Sequence, residues 1–509
     1  MGNSSLSFYD FSGGINTHCT KVLLGNGSKK LFWDDSFNVE LYKDQGVKRM
    51  AGNKVIFQNA QTSAIIALWQ YPADSENFVF AQADGKIYHY NNNQNNAELI
   101  WDYGKKLKQG QFCQYLDGIV FVTDCAQGIY YNIGANEKVK SLNAKTKSGE
   151  ELFANCVCTY ASRLWLGCGS TLYFSALGRF DDWESENDAG YISNFHSSVS
   201  KITAIAPYCG ALAIYKADEV FLLNGNSSED FAIIKFADKG TKSPKGAWSC
   251  NNKQYFINQD GVFTLSQTGE LAQIMMSGNL AQNVKEEFNS CDKTRMDEAI
   301  VIPYEKNNQI WFYLPKNDSE FFDEILIYDF RHNCWTKRVQ NQKITSAACV
   351  FGEIISGNFE GKILQENIGD SFEDEKIEFR FSTPFFHLGK PSERKIVEDF
   401  SILIDDVGEN RFKFSTTKDY IKDIYTDIER VKISQRNALT WASGDEKLDQ
   451  YSVWGDENSH IIWPKSFECP IDLQIFDSNL SVALHFEGEN LGDDFKLIGI
   501  EFKELLNDF

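Results

Sequence analysis

Short runs of alternating apolar and polar residues, bounded by Gly, Asn and Asp, make up most of this chain. Alternation with a period of two places one set of side chains on a buried face, so the pattern predicts β-strands. Helical periodicity is scarce, and the best helical candidates are the short segments 281–289 and 419–429. The chain is therefore expected to belong to the all-β class.

The predicted strands recur at a spacing of roughly 40 residues, which is the period of propeller blades. Six successive units each contain about four runs separated by turns. These units are residues 63–101, 110–142, 153–183, 201–237, 246–276 and 298–339. A seventh, partial unit at 344–367 has three runs. Because a single four-stranded unit cannot bury both of its faces, the pattern predicts a central β-propeller of six or seven blades.

The composition changes near Ser371, where the acidic stretch GDSFEDEKIEF resembles a linker or an exposed loop. The predicted strands beyond it are longer, which indicates a separate antiparallel β-sandwich. The expected domains are an N-terminal arm with the first strands at 1–60, the propeller at 61–370 and a C-terminal sandwich at 371–509.

Composition and charge narrow the classes of partner. Aromatic residues make up 14% of the chain, with 39 Phe and 21 Tyr, which favours sheet. The formal net charge of −21 argues against adhesion to nucleic acid or to anionic membranes, although DNA could slide past such a surface. The 12 Cys have no zinc-ligand spacing and are expected to be buried free thiols in a reducing cytoplasm. No stretch approaches 18 apolar residues, so no membrane insertion is expected.

Catalytic motifs are missing from the sequence. The seven His are isolated and none lies in an HExxH motif. Neither a GxSxG elbow nor a GxxxxGK[ST] loop occurs. We therefore predict no catalytic residue, no cofactor-binding residue and no cofactor, and we do not expect an enzyme.

One acidic loop, DDWESENDAG, is a candidate calcium site. The carboxylates of Asp182, Glu184, Glu186 and Asp188 alternate along it, and Gly190 could allow a turn. The spacing lacks the glycine that an EF-hand loop carries at its sixth position. The alternative interpretation is a solvated loop between blades.

Trp69, Trp101, Trp165, Trp311 and Trp335 fall in predicted strands. They could stack on sugars or pack between blades. A carbohydrate-binding or glycoside-hydrolysing propeller is therefore one alternative, and hydrolysis would require two carboxylates facing one axial pocket. A generic intracellular propeller scaffold is another.

Three small basic pairs stand out against the acidic background: Lys48-Arg49, Lys337-Arg338 and Arg394-Lys395. They are either solvated charges or contacts to the acidic face of a neighbouring copy.

Six stretches of the chain match, in order, the pattern of a known family. The first carries Gly13, Gly14, Asn38, Gly46, Lys48, Arg49 and Gly52. The next four are YASRLWLGCGSTLYFSALGRFDDW, KITAIAPYCGALAIYKADEVFLLNG, KGTKSPKGAWSCNNKQYFINQDGVFTL and EILIYDFRHNCWTKR. The last carries Thr383, Pro384, Gly389, Pro391, Arg394 and Lys395. By these stretches the chain resembles the tail nozzle or tail-tube proteins of short-tailed, podovirus-type bacteriophages.

This resemblance implies a structural component of the virion, made in the host bacterial cytoplasm. The family forms homo-oligomeric rings, commonly hexamers, at the distal end of the tail. Its expected partners are further copies of itself, the tail adaptor or portal-side proteins, and tail fibre or spike proteins. DNA would pass through the ring without specific binding.

Overall fold

The computed structural model describes residues 6–19, 24, 30–71, 77–186, 188–193, 195, 199–268, 273–387, 392–397, 399–405, 410–421, 425–433, 468–474, 478–502 and 505–507. The chain divides into two compact units. One is the continuous segment Ala51–Glu375, and the other combines Met1–Met50 with Lys376–Phe509. We call them the propeller and the terminal domain, and number the strands β1 to β43 in chain order.

The propeller contains seven four-stranded antiparallel sheets. The strands of blades 1 to 3 are β7 Ile65–Gln70, β8 Phe78–Gln82, β9 Lys86–Asn91, β10 Asn96–Asp102, β11 Gln111–Tyr115, β12 Gly118–Thr123, β13 Ala126–Tyr131, β14 Val139–Ser141, β15 Cys156–Tyr160, β16 Arg163–Cys168, β17 Thr171–Phe174 and β18 Gly190–Ile192. Those of blades 4 to 6 are β19 Ala204–Tyr208, β20 Ala211–Tyr215, β21 Val220–Asn224, β22 Ala232–Ala237, β23 Ala247–Cys250, β24 Lys253–Asn258, β25 Gly261–Thr268, β26 Gln273–Met276, β27 Ile300–Tyr304, β28 Gln309–Tyr313, β29 Glu324–Asp329 and β30 Cys334–Val339. Blade 7 contains β31 Ile344–Val350, β32 Glu353–Asn358, β33 Lys362–Glu366 and β6 Asn53–Gln58.

The first strands of the seven blades form a closed ring. β7, β11, β15, β19, β23, β27 and β31 contact one another in this order, and β31 returns to β7. At the closing contact the Thr345 hydroxyl donates to the Ile65 carbonyl at 2.7 Å. A Cβ added at Gly357 would lie only 2.4 Å from the Cβ of Ile65, so glycine is needed there. The predicted propeller is confirmed, and the number of blades is seven.

The fourth strand of blade 7 comes from the other end of the propeller segment. β6 pairs with β33, with Val55 opposite Leu364 and Asn53 opposite Glu366. The pairing fills the hydrogen-bonding edge that the three runs of the seventh unit leave open. The propeller therefore begins at Ala51 instead of residue 61. Periodicity could not assign β6, because this strand precedes the first complete repeat.

Large apolar side chains fill the spaces between adjacent blades. Between blades 3 and 4, for example, Trp165 is fully buried in one cluster with Leu212 and Phe221. Full burial of one such side chain contributes about 1.5–3 kcal/mol to stability. Blade-to-blade packing, repeated around the ring, is thus the main stabilising contact of this unit.

The helical predictions had different outcomes. The segment 281–289 forms a 3₁₀ turn at Leu280–Val284 followed by the short helix α1 at Lys285–Asn289. Of the segment 419–429, the residues 422–424 lie outside the described part of the chain, and residues from Thr426 onward belong to the strand β38, Thr426–Ile433. The second prediction was wrong because the alternation that starts at Thr426 belongs to a strand. No helix in the described ranges is long and apolar enough to cross a membrane.

Both chain ends contribute to the terminal domain. One sheet has the order β39-β36-β42-β5-β4, with β1 also on β42, and the other has the order β2-β3-β34-β41-β37-β38. A third, small sheet has the order β40-β35-β43. The strands from the N-terminal segment are β1 Leu6–Phe8, β2 Gly14–Ile15, β3 Phe32–Phe37, β4 Val39–Tyr42 and β5 Gly46–Arg49. Those from the C-terminal segment are β34 Phe379–Ser382, β35 Lys395–Val397, β36 Asp399–Asp405, β37 Asn410–Lys418, β38 Thr426–Ile433, β39 Glu468–Gln474, β40 Ser478–Asn479, β41 Val482–Gly488, β42 Lys496–Phe502 and β43 Leu505–Asn507.

The two large sheets of the terminal domain pack through phenylalanines. The rings of Phe400 on β36 and Phe414 on β37 lie 5.6 Å apart, centroid to centroid. The predicted sandwich is thus present, but it starts at Lys376 and includes the segment expected to be an arm. The pair β2–β3 is parallel, which departs from the expected antiparallel arrangement. Pairing between strands so distant in sequence leaves no local pattern to detect.

Candidate functional site

A cavity of about 380 Å³ lies on the axis of the propeller. All seven inner strands contribute to its wall, which is mainly apolar. Its volume falls at the lower end of the range of small-molecule sites, about 300–1,000 Å³. Gln114, Pro207 and Ser249 line it and are exposed, so they mark its mouth. The cavity therefore has the size and the lining of a small-molecule site.

Lys245 is the charged residue of the cavity wall. It lies in the turn that precedes β23, whereas Ser249 at the mouth is near the other end of that strand. Its Nζ donates to the carbonyl of Ile66 on blade 1 at 2.5 Å. Burial lowers the pKa of Lys245 to about 8. No Asp or Glu of the described chain lines the cavity, so the ammonium has no counter-ion there.

Two tryptophans approach each other across the axis. The rings of Trp69 on β7 and Trp248 on β23 are 5.5 Å apart. The indole Nε1 of Trp69 is buried and has no hydrogen-bond partner among the described residues. Together with Lys245, it is a second donor in the cavity wall with bonding capacity left.

Three other polar side chains of the wall form hydrogen bonds within the chain, and Gln114 lies exposed at the mouth. Gln111 donates through Nε2 to the carbonyl of Pro244 and accepts through Oε1 from the amide of Val157. The hydroxyls of Thr159 and Ser249 donate to backbone carbonyls at 2.6 and 3.1 Å. The cavity therefore offers unused donors on an otherwise apolar wall.

The cavity also contains three thiols, on Cys113, Cys158 and Cys349. Burial raises the pKa of Cys113 to about 11 and also raises the pKa values of Cys158 and Cys349. Because the thiolate is the reactive form, these cysteines are poor nucleophiles at neutral pH. The eleven cysteines for which the structure describes the side chain are all free thiols.

Hydrogen bonds between its own residues fix the conformation of the candidate calcium loop. The carboxylate of Asp182 accepts from the Ser185 hydroxyl and from the amides of Glu184 and Ser185, and these bonds lower its pKa. Asp188 pairs with Arg163 at 2.6 Å, whereas Glu184 and Glu186 are exposed. Within the described ranges no three His, Cys, Asp or Glu residues are grouped so as to hold a metal ion. The four carboxylates therefore do not form a calcium site in this geometry.

The candidate sugar-stacking tryptophans divide into two groups. Trp165, Trp311 and Trp335 are at most 1% exposed and pack inside the propeller. Trp69 and Trp101 are half-buried, and of these two only Trp69 lines the cavity. Blade packing accounts for the three buried tryptophans. No carboxylate lines the described cavity wall, so the acid pair that a glycosidase requires is not found in that wall.

The basic pairs are largely engaged within the chain. Arg338 is fully buried and bonded to Glu366 at 2.8 Å. Arg49 pairs with Asp494 at 3.2 Å, and Arg394 pairs with Asp419 at 3.2 Å. The interpretation of Arg338 as a solvated or docking charge was wrong, because sequence cannot show that a distant Glu366 lies beside it.

Several residues of the family-like stretches occupy structurally demanding positions. A Cβ at Gly52 would lie 1.8 Å from the Ser371 carbonyl oxygen, and one at Gly46 would lie 2.5 Å from the Leu497 oxygen. The amide of Asn38 donates to the Glu378 carbonyl at 2.7 Å. The last stretch includes Gly389 and Pro391, which lie outside the described residues. These stretches thus mark close contacts between segments far apart in sequence.

Comparison with known proteins adds no function. No family model matches the chain, and no curated protein matches it. Among solved structures, it is similar to a chain in the crystal structure of mitotic checkpoint complex. The two are 11% identical with a TM-score of 0.40, and the match covers 63% of this chain and 95% of that one. A likeness of this size carries no argument here, and the propeller is established by the strand pairing itself.

Sequence reasoning missed the cavity and Lys245. A lysine directly before a predicted strand has no distinguishing signal. Its importance depends on the ring, which brings blade 5 opposite blade 1. A systematic search for the first strand of each blade could have identified the lining strands, although not the bond between Lys245 and Ile66.

Proposed function

We propose that this protein is a structural subunit of a short-tailed bacteriophage virion, a tail nozzle that forms an oligomeric ring around the DNA exit channel. The observation that carries the proposal is the ordered resemblance of six stretches to that family. The stretches span most of the chain, from Gly13 to Lys395. Two of their residues make close contacts within the blade ring: Gly52 lies against Ser371, and Arg338 donates to the Gly52 carbonyl.

The DNA path in this proposal lies between copies of the chain. Within one propeller, Lys245 and Gln111 form hydrogen bonds across the axis, and Trp69 faces Trp248. The axial space of about 380 Å³ is far too small for a DNA duplex. A channel therefore requires several propellers arranged in a ring, and the family resemblance implies six.

Exposed apolar side chains on the outer strands favour such a ring. Leu99 on blade 1 is 48% exposed, and Tyr191, Ile234 and Met275 on blades 3 to 5 are 48–55% exposed. In a closed ring of seven blades, blades 4 and 5 lie opposite blade 1. Contacts on two opposite sides of a subunit are what a head-to-tail ring needs.

In blade 6 the outer strand β30 is covered by another segment of the chain, which includes α1. The indole of Trp335 on β30 donates to the Leu280 carbonyl at 3.0 Å, and Lys337 pairs with Glu287 on α1 at 3.1 Å. Blades 1 and 4 present apolar residues on outer strands without such a covering helix in the described chain. In the proposed ring, the neighbouring copy takes that place.

The net charge of −21 fits a passage for DNA. A channel lined mainly by carboxylates repels phosphate, so the duplex moves through without binding. The remaining partners proposed are the adaptor or portal-side proteins on one side and fibre or spike proteins on the other, in the virion.

Analytical ultracentrifugation and negative-stain microscopy of the full chain, alone and with its neighbouring tail proteins, test the proposal. We expect closed rings that Leu99→Glu and Met275→Glu each disrupt, since both place a charge in the proposed contact. Leu177→Glu is the matched control, because Leu177 is 56% exposed but lies in a loop. A monomer under every condition, or a ring with a strongly basic bore, would contradict the proposal.

A further inference from the structure

The axial cavity has the chemistry of a small-molecule site that the proposed nozzle role does not use. We propose that it binds an apolar monocarboxylate, such as a medium-chain fatty acid, with the carboxylate on Lys245 and the hydrocarbon along the wall toward Trp69 and Trp248. This inference is independent of the ring, since every wall residue belongs to one propeller.

The head group follows from the donors. The Lys245 ammonium has three N–H groups, of which the Ile66 carbonyl accepts one. A ligand must therefore supply acceptor atoms, and a negative charge would also neutralise the ammonium in a place where the described wall has no carboxylate. A phosphate or sulfate would carry more charge than a single lysine can balance.

The body of the ligand follows from the wall. Apart from Lys245 and Trp69, the polar side chains Gln111, Thr159 and Ser249 already form hydrogen bonds within the chain. A sugar, with a hydroxyl on nearly every carbon, would find too few partners in such a wall. An alkyl or aryl chain gives up no hydrogen bonds when it enters this cavity, and the removal of its apolar surface from water favours binding.

The orientation follows from the position of the mouth. Gln114 and Ser249 are exposed near the C-terminal ends of their inner strands, whereas Lys245 lies in the turn before the N-terminal end of β23. A carboxylate at Lys245 therefore places its chain along the axis, past the paired rings of Trp69 and Trp248. The unpaired Nε1 of Trp69 can donate to a second acceptor on the ligand, such as a hydroxyl.

Isothermal titration calorimetry of the full chain with decanoate, kept below its micelle concentration, tests the inference. We expect one site per chain, with decan-1-ol bound at least tenfold more weakly because it lacks the charge. Lys245→Met should weaken decanoate binding at least tenfold. Lys242→Met is the matched control, since its Nζ contacts the Lys293 carbonyl and the residue is outside the cavity wall.

Two further measurements make the result decisive. Ala347→Leu, which keeps Lys245 but fills part of the cavity from β31, should also weaken decanoate binding, with an unchanged melting temperature as evidence of folding. Photo-crosslinking with a diazirine-bearing fatty acid should label peptides that contain β7 or β23. Absence of binding, binding that Lys245→Met and Ala347→Leu leave intact, or labelling confined to other surfaces would overturn the inference.

Discussion

The guanidinium of Arg338 and the carboxylate of Glu366 meet at 2.8 Å, and both side chains are fully buried. Arg338 also donates to the carbonyls of Ala51 and Gly52, at 2.7 and 3.0 Å. Its guanidinium lies 4.7 Å from the centre of the Phe372 ring. One side chain on blade 6 thus fixes blade 7 and the segment that leads into β6, where the ring closes.

Removing one partner of this pair should destabilise the propeller strongly. Arg338→Met leaves the Glu366 carboxylate buried without its cation, and such a loss costs about 3–5 kcal/mol. The double variant Arg338→Met/Glu366→Leu should recover part of this, because neither residue then carries a buried charge. Urea denaturation of the two single variants and the double variant gives the coupling energy. A coupling near zero would show that the pair does not hold the closure.

A methyl group at Gly52 should also disrupt the contact between the segment before β6 and the Ser371 backbone, where the ring closes. Its Cβ would lie 1.8 Å from the Ser371 carbonyl oxygen, so the two backbone segments must separate. We expect Gly52→Ala to lower the free energy of unfolding by about 3 kcal/mol. Gly278→Ala is the control, since a Cβ there has no neighbour within 4 Å. Equal melting temperatures for the two variants would contradict this account.

The propeller should fold as the segment 51–375, and the shorter segment 61–370 should not. The shorter piece lacks β6, so the edge of β33 is exposed and the Arg338 contacts to Ala51 and Gly52 are lost. Exposed strand edges promote aggregation. Circular dichroism, thermal melting and size-exclusion chromatography of the two fragments test this. A soluble, cooperatively melting 61–370 fragment would show that β6 is dispensable.

The titration of Lys245 should make a contribution to stability that rises with pH between about 8 and about 10.5. Its pKa is lowered to about 8 in the folded protein, so the unfolded chain binds more protons in this window. The contribution of Lys245 to the free energy of unfolding is at its most favourable above the ordinary lysine pKa of 10.5, and it is lost as the pH falls through about 8. We expect a gain of about 1–3 kcal/mol. Urea denaturation at pH 7.5 and 10 should show a more positive change in the free energy of unfolding for the wild type and Lys242→Met than for Lys245→Met, because the cysteine and tyrosine titrations are common to all three. Identical pH dependence in all three would refute the assignment.

Much of the fold follows from local patterns. The six units between residues 63 and 339 match blades 1 to 6 to within three residues, except that the third unit, 153–183, misses the strand β18 at Gly190–Ile192. The match arises because alternation within a strand and a turn between strands are local properties. The site was not predictable in this way. The Lys245–Ile66 bond joins residues 179 positions apart, and the Trp69–Trp248 contact also joins blades 1 and 5.

The sequence by itself determined the all-β class, the repeat and the change of composition near Ser371. The tertiary structure alone decided the number of blades, the origin of the strand β6 and the composition of the terminal domain from both chain ends. The physical reason is that periodicity reports which face of a strand is buried, whereas pairing depends on which distant edge remains open. For the same reason the sequence indicated a solvated or docking charge at Arg338, whereas in the fold Arg338 forms a buried ion pair with Glu366.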